Sequence, residues 1–94
     1  MIIIAGTLRV APVERDQYLA VVGEATRLAR QAPGCLDFAQ SPDPLESDRI
    51  NIYERWESDE QLAAFRSLPG DGRSAPAILD ADVRRFRISS VQAP

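Results

Sequence analysis

The sequence contains no histidine and only one cysteine, and these absences exclude several kinds of site. Without histidine the chain has no imidazole general base, no serine–histidine or cysteine–histidine pair, and no zinc site of the usual composition. Haem would lack its commonest protein ligand, and the alternatives Tyr18, Cys35 and Tyr53 have no supporting context. A single cysteine allows no internal disulfide, which is typical of a reducing compartment and predicts a cytoplasmic protein.

Lysine is absent as well, so all 11 basic residues are arginines, and the net charge is −3. That balance argues against nucleic-acid binding, which requires an excess of positive charge. The three arginines within residues 84–87 lie close to Asp80 and Asp82, which predicts ion pairs. The apolar residues 1–6 follow no basic segment and are far too few to span a bilayer. We therefore expect neither a nucleic-acid partner nor a membrane partner.

The composition is that of one small globular domain. The chain has 94 residues, of which 45% are hydrophobic and 27% charged, as in ordinary soluble proteins. We predict a single domain over residues 1–94. A core of this size is often stabilised by oligomerisation.

The spacing of apolar residues predicts four strands and two helices. The order strand, helix, strand, strand, helix, strand is that of the ferredoxin-like (β-α-β-β-α-β) plan. This is an α+β fold in which a four-stranded antiparallel sheet carries both helices on one face. Strands are expected over 2–10, 35–41, 50–56 and 82–91, one helix from Pro12 to the Pro33-Gly34 turn, and another from Ser58.

The strand over residues 50–56 is the most informative stretch of the chain. Its even-numbered residues, including Glu54 and the only tryptophan, Trp56, share one face, and Tyr53 lies on the other. The strand leads almost directly into a helix whose start has Ser58 and Gln61 at capping-box spacing. Ends of strands in open sheets often hold ligands, so this junction is the predicted site.

The first strand predicts a second covered surface. Residues 2–5 are all apolar, whereas a sheet with one face in water would alternate. The face away from the helices therefore carries either Ile2, Ile4 and Leu8 or their alternates. Because large apolar patches mark interfaces, we expect a homodimer packed sheet against sheet, with Tyr53 in the interface.

Two finer predictions concern the first helix and the second strand. Gly23 lies inside the helix and is interpreted as a point of close packing on the sheet. In the second strand, Leu36 and Phe38 are expected on one face and Cys35 on the other, as an inert buried thiol. The helix shows one apolar stripe, formed by Tyr18, Val21, Val22, Ala25, Leu28, Ala29 and Ala32.

Several of these segments together resemble the antibiotic biosynthesis monooxygenase (ABM) domain, a dimeric α+β barrel. The resemblance covers nearly the whole chain. It implies a pocket between sheet and helices, in which characterised relatives oxygenate quinols and anthrones with no metal and no flavin cofactor. The marks are the helix begun by Pro12, Ala32-Pro33-Gly34-Cys35-Leu36, and Glu54-Arg55-Trp56 followed by Ser58-Asp59-Glu60-Gln61-Leu62.

The resemblance also implies which residues would line the pocket. Trp56 matches the pocket tryptophan of anthrone-oxidising relatives, while Ile52 and Leu62 stand where those relatives place Asn and Tyr. Phe65 stands where many have His, and Thr7 aligns with an Asn of the haem-degrading relatives. The expected substrate-binding residues are Thr7, Ile52, Leu62, Phe65 and Arg73.

Each candidate also has a purely structural interpretation. Glu54 is either a general base with a pKa raised by burial, or the partner of Arg85 or Arg87 in an ion pair across the sheet or across the dimer. Trp56 either stacks on an aromatic substrate or fills the core. Arg73, in a Gly-rich loop, either closes over a ligand or is solvated.

Two functions follow from these alternatives. The first is a cofactor-independent monooxygenase acting on an aromatic, quinol-like or anthrone-like molecule, with Glu54 and Trp56 as catalytic residues. The second is a non-catalytic dimeric module that binds a small hydrophobic ligand. A titratable Glu54 favours the enzyme, and a Glu54 locked to an arginine favours the binding module.

Overall fold

The computed structural model describes residues 1–70 and 74–94. Its order of elements is the predicted one, and the ferredoxin-like α+β fold is confirmed. The last strand begins at Asp80 and ends at Arg87, whereas residues 82–91 were expected. The elements are β1 (Ile2–Arg9), a 3-10 turn (Pro12–Glu14), α1 (Arg15–Gln31), β2 (Cys35–Pro42), β3 (Arg49–Trp56), α2 (Asp59–Arg66) and β4 (Asp80–Arg87).

The four strands form one antiparallel sheet in the order β2-β3-β1-β4. The two central strands, β1 and β3, carry most of the core on the face that the helices cover. One core cluster, which lies under α2 and the end of α1, contains Ile2, Ile4, Ala29, Phe38, Trp56 and Leu62. The other cluster, which lies under the first half of α1, contains Leu8, Val10, Tyr18, Ile50 and Ile52.

The alternation predicted for β3 is confirmed. Burial along Arg49–Trp56 strictly alternates, and Ile50 and Trp56 are completely inaccessible to solvent. Glu54 lies in this buried row and is only 8% exposed. A charged residue has therefore been placed on the core face by strand periodicity alone.

The register of β1 decides between the two alternatives for the outer sheet face. Ile2, Ile4 and Leu8 are buried against the helices, so their alternates point away from them. Ile3 pairs with Arg55 and Phe86, and Ala5 pairs with Tyr53. Residues directly opposite each other in a sheet share a face. The outer face, as we call it, thus carries Ile3, Ala5, Thr7, Tyr53 and Phe86.

The face prediction for β2 is wrong at its start. A bulge between Cys35 and Asp37 shifts the register by one residue. Cys35 consequently packs against the core, while Leu36 is 41% exposed. Phe38, beyond the bulge, is buried as expected.

The turn between α1 and β2 is joined to the β3–α2 junction. Gly34 adopts a φ of 82°, a left-handed conformation that favours glycine. A Cβ there would lie 2.2 Å from the Gln61 side chain. The Glu57 amide donates a hydrogen bond of 2.8 Å to the Gly34 carbonyl. The Pro33-Gly34 turn therefore contacts the segment between β3 and α2 and helps to fix its position.

The first turn of α2 confirms the predicted helix start. Ser58 is the N-cap, and its Oγ accepts a hydrogen bond from the Gln61 amide at 3.2 Å. Asp59, in the first turn, accepts hydrogen bonds from Arg85 at 2.5 Å and Arg87 at 2.6 Å. These ion pairs tie the eight-residue helix to the edge strand β4. No helix within the described residues has the length and apolarity needed to cross a bilayer.

The packing role expected for Gly23 is wrong. Gly23 is exposed on α1, and a Cβ added there would meet no atom within 4 Å. Its lack of a side chain serves no contact, so it only weakens the helix.

Replacing Gly23 by alanine is expected to raise the free energy of unfolding by about 0.5–1 kcal/mol, since alanine is the better helix former. Gly34→Ala is the matched control and is expected to lower it, because the left-handed backbone and the Gln61 side chain oppose a Cβ. Urea unfolding of the two variants checks both signs. A destabilising effect of Gly23→Ala would contradict this assignment.

Candidate functional site

Glu54 is a carboxyl group held within the apolar core. The Trp56 indole Nε1–H donates a hydrogen bond of 3.0 Å to Glu54 Oε1. The two residues are two apart on β3, so strand alternation puts their side chains side by side. Ile4 and Phe38 flank Glu54 on the neighbouring strands. Burial raises the pKa of Glu54, and the Trp56 hydrogen bond and the charge of Arg66 oppose that rise more weakly.

The alternative in which Glu54 forms an ion pair with an arginine of β4 across the sheet of its own subunit is wrong. Arg85 lies across β1 from Glu54, with Ile4 between them in the register. Both Arg85 and Arg87 bind Asp59 instead. Within the described part of the chain Glu54 has no ion pair, so its carboxyl group remains free to titrate.

Phe65 of α2 packs against Trp56 and Phe38. Its ring centroid lies 5.4 Å from that of Trp56 and 6.1 Å from that of Phe38, which it meets edge-on. Aromatic contacts of this kind add to the burial of their area. Phe65 is itself only partly buried, so it separates the buried pair from the surface.

A groove with a volume of about 310 Å³ lies between α1 and the end of α2. That volume is at the small end of the range for ligand pockets. A smaller side pocket of about 160 Å³ adjoins it and shares Phe65 and Leu68 with it. The groove is lined by Val21, Val22, Glu24, Ala25 and Leu28 of α1, and by Phe65, Arg66, Leu68, Pro69 and Gly70.

Two lining residues connect the groove to the buried pair. Phe65 contacts Trp56 directly, and the charge of Arg66 acts on Glu54. A ligand in the groove would therefore contact Phe65, which packs against Trp56, the hydrogen-bond donor of Glu54.

The structure brings together some of the predicted site residues and not others. Leu62 and Trp56 lie in one core cluster, with Phe65 packed against it. Ile52 is on the same sheet face but belongs to the other cluster. Thr7 pairs with Asn51 and so lies on the outer face, away from this site. Arg73 lies outside the described residues.

The α1 side of the groove was not predicted as a site. The apolar stripe of α1 was interpreted as a single packing surface, but only Tyr18 and Ala29 are buried. Leu28 is 46% exposed. The signal was present: Val21, Ala25 and Leu28 form a second row at i, i+4 and i+7, so the stripe is wider than one buried row.

Comparison with known proteins places this arrangement in a family. The profile of the family described as antibiotic biosynthesis monooxygenase matches residues 1–70. The chain belongs to the ABM family. A proposed ABM protein from Chloroflexus aurantiacus has 31% identity and a TM-score of 0.76, with 98% of this chain and 96% of that one covered. No protein of curated function matches the chain.

More distant ABM-like structures share the fold. A proposed antibiotic biosynthesis monooxygenase from Deinococcus radiodurans has a TM-score of 0.86 at 20% identity, with 100% and 98% of the two chains covered. The haem degrader MhuD from Mycobacterium tuberculosis, solved with two haems in its active site, has a TM-score of 0.72 at 17% identity. It is covered to 100%, and this chain to 99%. At these identities the likeness shows the fold alone.

The residues of this ABM protein do not fit haem. The chain has no histidine. Of the three alternative ligands, Tyr18 is buried in the second core cluster, Tyr53 is on the outer face and Cys35 lies beside the first cluster. None of them lines the groove. In addition, no cluster of three metal-ligating side chains occurs among the described residues.

Glu54→Gln is expected to gain stability relative to the wild type as the pH rises above the ordinary glutamate pKa of 4.5. A carboxyl group whose folded pKa is raised binds more protons in the folded state, so folding weakens as it ionises. Glutamine cannot ionise, and any misfit of its amide adds only a constant offset. Urea unfolding from pH 4 to pH 8 measures the difference.

Glu57→Gln, which removes an exposed carboxyl group by the same substitution, is the control. A profile for Glu54→Gln that does not depend on pH would contradict a raised pKa at Glu54.

Proposed function

We propose that this ABM protein is a cofactor-independent monooxygenase that acts on an aromatic, quinol-like or anthrone-like molecule bound in the groove. One observation carries the proposal: Glu54 is a buried carboxyl group with a raised pKa, and Trp56, which donates a hydrogen bond to it, packs against Phe65 in the wall of an apolar groove. A general base works best when its pKa is close to the working pH, and burial moves a glutamate in that direction.

The proposed reaction needs no external electron donor. Glu54 takes a proton from an activated CH₂ group, and the resulting carbanion passes electrons to O₂ to form a peroxide at that carbon. Loss of water then leaves a carbonyl group. One oxygen atom ends in the product and the other in water, so the substrate supplies all the electrons.

Each neighbouring side chain has a proposed part in this reaction. Trp56 holds the Glu54 carboxyl through its indole N–H and presents an aromatic surface next to Phe65. Leu62 on α2 and Ile52 on β3 keep the surroundings of the site apolar, which excludes water and favours proton transfer to a poorly solvated base. Phe65 is the wall that the substrate displaces on entry. Thr7 has no part, because it lies on the outer face.

Wild-type protein is expected to raise oxygen consumption with anthrones or naphthoquinols above the buffer rate. Glu54→Gln should lower the rate about 10²–10⁴-fold, the usual contribution of a general base. Trp56→Phe should lower it less, because the carboxyl group stays but loses its hydrogen bond. Metal-free protein and an oxygen electrode provide the measurement, and Glu57→Gln, with an exposed carboxyl group, is the control.

One observation favours a second function, a non-catalytic module that binds a small hydrophobic ligand. Phe65 separates the groove from Trp56, so a ligand can occupy the groove without reaching Glu54. Binding of the same compounds without oxygen uptake would select this function. Uptake unchanged by Glu54→Gln would reject Glu54 as the base.

We further propose that the protein is a cytoplasmic homodimer in which two outer faces pack together. The single cysteine supports the compartment. The dimer is supported by the apolar residues of the outer face: Ile3, Ala5 and Tyr53 lie on neighbouring central strands, and Phe86 beside them is 47% exposed. A patch of this kind in water is rare in a monomer.

Tyr53→Asp is expected to convert the dimer to a monomer, since it buries an unpaired charge in the proposed interface. Sedimentation velocity at micromolar concentration measures the change in mass. Leu45→Asp, at a loop residue that is 93% exposed, is the control and should leave the mass unchanged. A wild-type protein that sediments as a monomer would reject the interface.

A further inference from the structure

We infer that Arg66 makes the groove selective for ligands that carry one anionic group, a carboxylate or a phenolate, on an apolar ring system. The inference rests on the proposed function, because it concerns a ligand bound in the same groove. It adds the charge of that ligand and the residue that recognises it.

Arg66 is the basic residue among the described residues that line the groove. No other described residue holds its side chain in an ion pair. It stands at the last position of α2, is exposed and lines the groove. It forms no ion pair and donates no side-chain hydrogen bond to a described residue, whereas Arg85 binds Asp59 and Arg30 donates to the Phe38 carbonyl. Its guanidinium donors are therefore available to a ligand.

The other residues that line the groove also favour an apolar ligand with one anionic group. Most of the lining is apolar, so a ligand would bury rings there and turn its polar group towards Arg66. The acidic residue of the lining, Glu24, is held in an ion pair with Arg27 on the same helix. A bidentate contact between guanidinium and carboxylate is the strongest polar interaction that this wall can offer.

Arg66 also connects ligand charge to the state of Glu54. When a proton passes from the ligand to Glu54, the negative charge moves from the buried carboxyl group to the ligand. Arg66, whose charge acts on Glu54, lines the groove where that ligand would lie. It would then stabilise the anion that the transfer creates, as a fixed charge does where charge develops.

The test compares 2-naphthoate with its neutral analogue 2-naphthamide, titrated into wild type, Arg66→Met and Arg66→Lys. The methyl NMR signals of Val21, Leu28 and Leu68 report binding in the groove. We expect Arg66→Met to weaken naphthoate binding about tenfold or more, as for loss of a hydrogen bond to a charged group. Naphthamide binding should change less than about twofold. Arg66→Lys should retain part of the naphthoate affinity.

Arg84→Met is the matched control, because it makes the same change in net charge at an exposed residue on the opposite face of the sheet. It should leave both affinities unchanged. Equal weakening by Arg84→Met, or no effect of Arg66→Met, would overturn the role of Arg66 and leave the groove as a binding site. If neither compound shifts the groove methyls, both the groove proposal and this inference fail.

Discussion

The hydrogen bond from Trp56 to Glu54 is the interaction on which the rest of this structure depends. It joins the largest side chain of the core to a carboxyl group that the period of β3 places beside it. Without a donor, that carboxyl would be a buried polar group with no partner, which costs stability. With it, the acid is oriented and stays in the core, and Phe65 packs against the Trp56 ring.

Much of the fold was predictable because its signals are local. The period of β3, the Ser58 cap and the Pro33-Gly34 turn each act over a few residues, and the structure confirms all three. The bulge after Cys35 was not predictable, since it depends on how β2 pairs with β3. The face of β1 was left open for a similar reason: apolar residues on both sides carry no period, and only pairing decides which row meets the helices.

The candidate site was predictable only in part, because it depends on relations between elements that are distant in sequence. Glu54 and Trp56 could be found from one strand. Thr7 was misplaced because its face follows from the register with Asn51. Arg66 and Leu28 lie on different helices, and no sequence pattern predicts that they line the same groove. The sequence also does not show which acidic residue Arg85 and Arg87 bind. In the structure both form ion pairs with Asp59 and not with Glu54.

The groove follows from the unequal lengths of the two helices. The eight residues of α2 cover one core cluster, while the 17 residues of α1 extend over both. Among the described residues, the second apolar row of α1 consequently has no helix to pack against, and Leu28 in that row is 46% exposed. A longer α2 would bury that row and fill the groove. The short helix instead leaves a largely apolar groove in which Arg66 supplies a cation and Phe65 lies between the groove and Trp56.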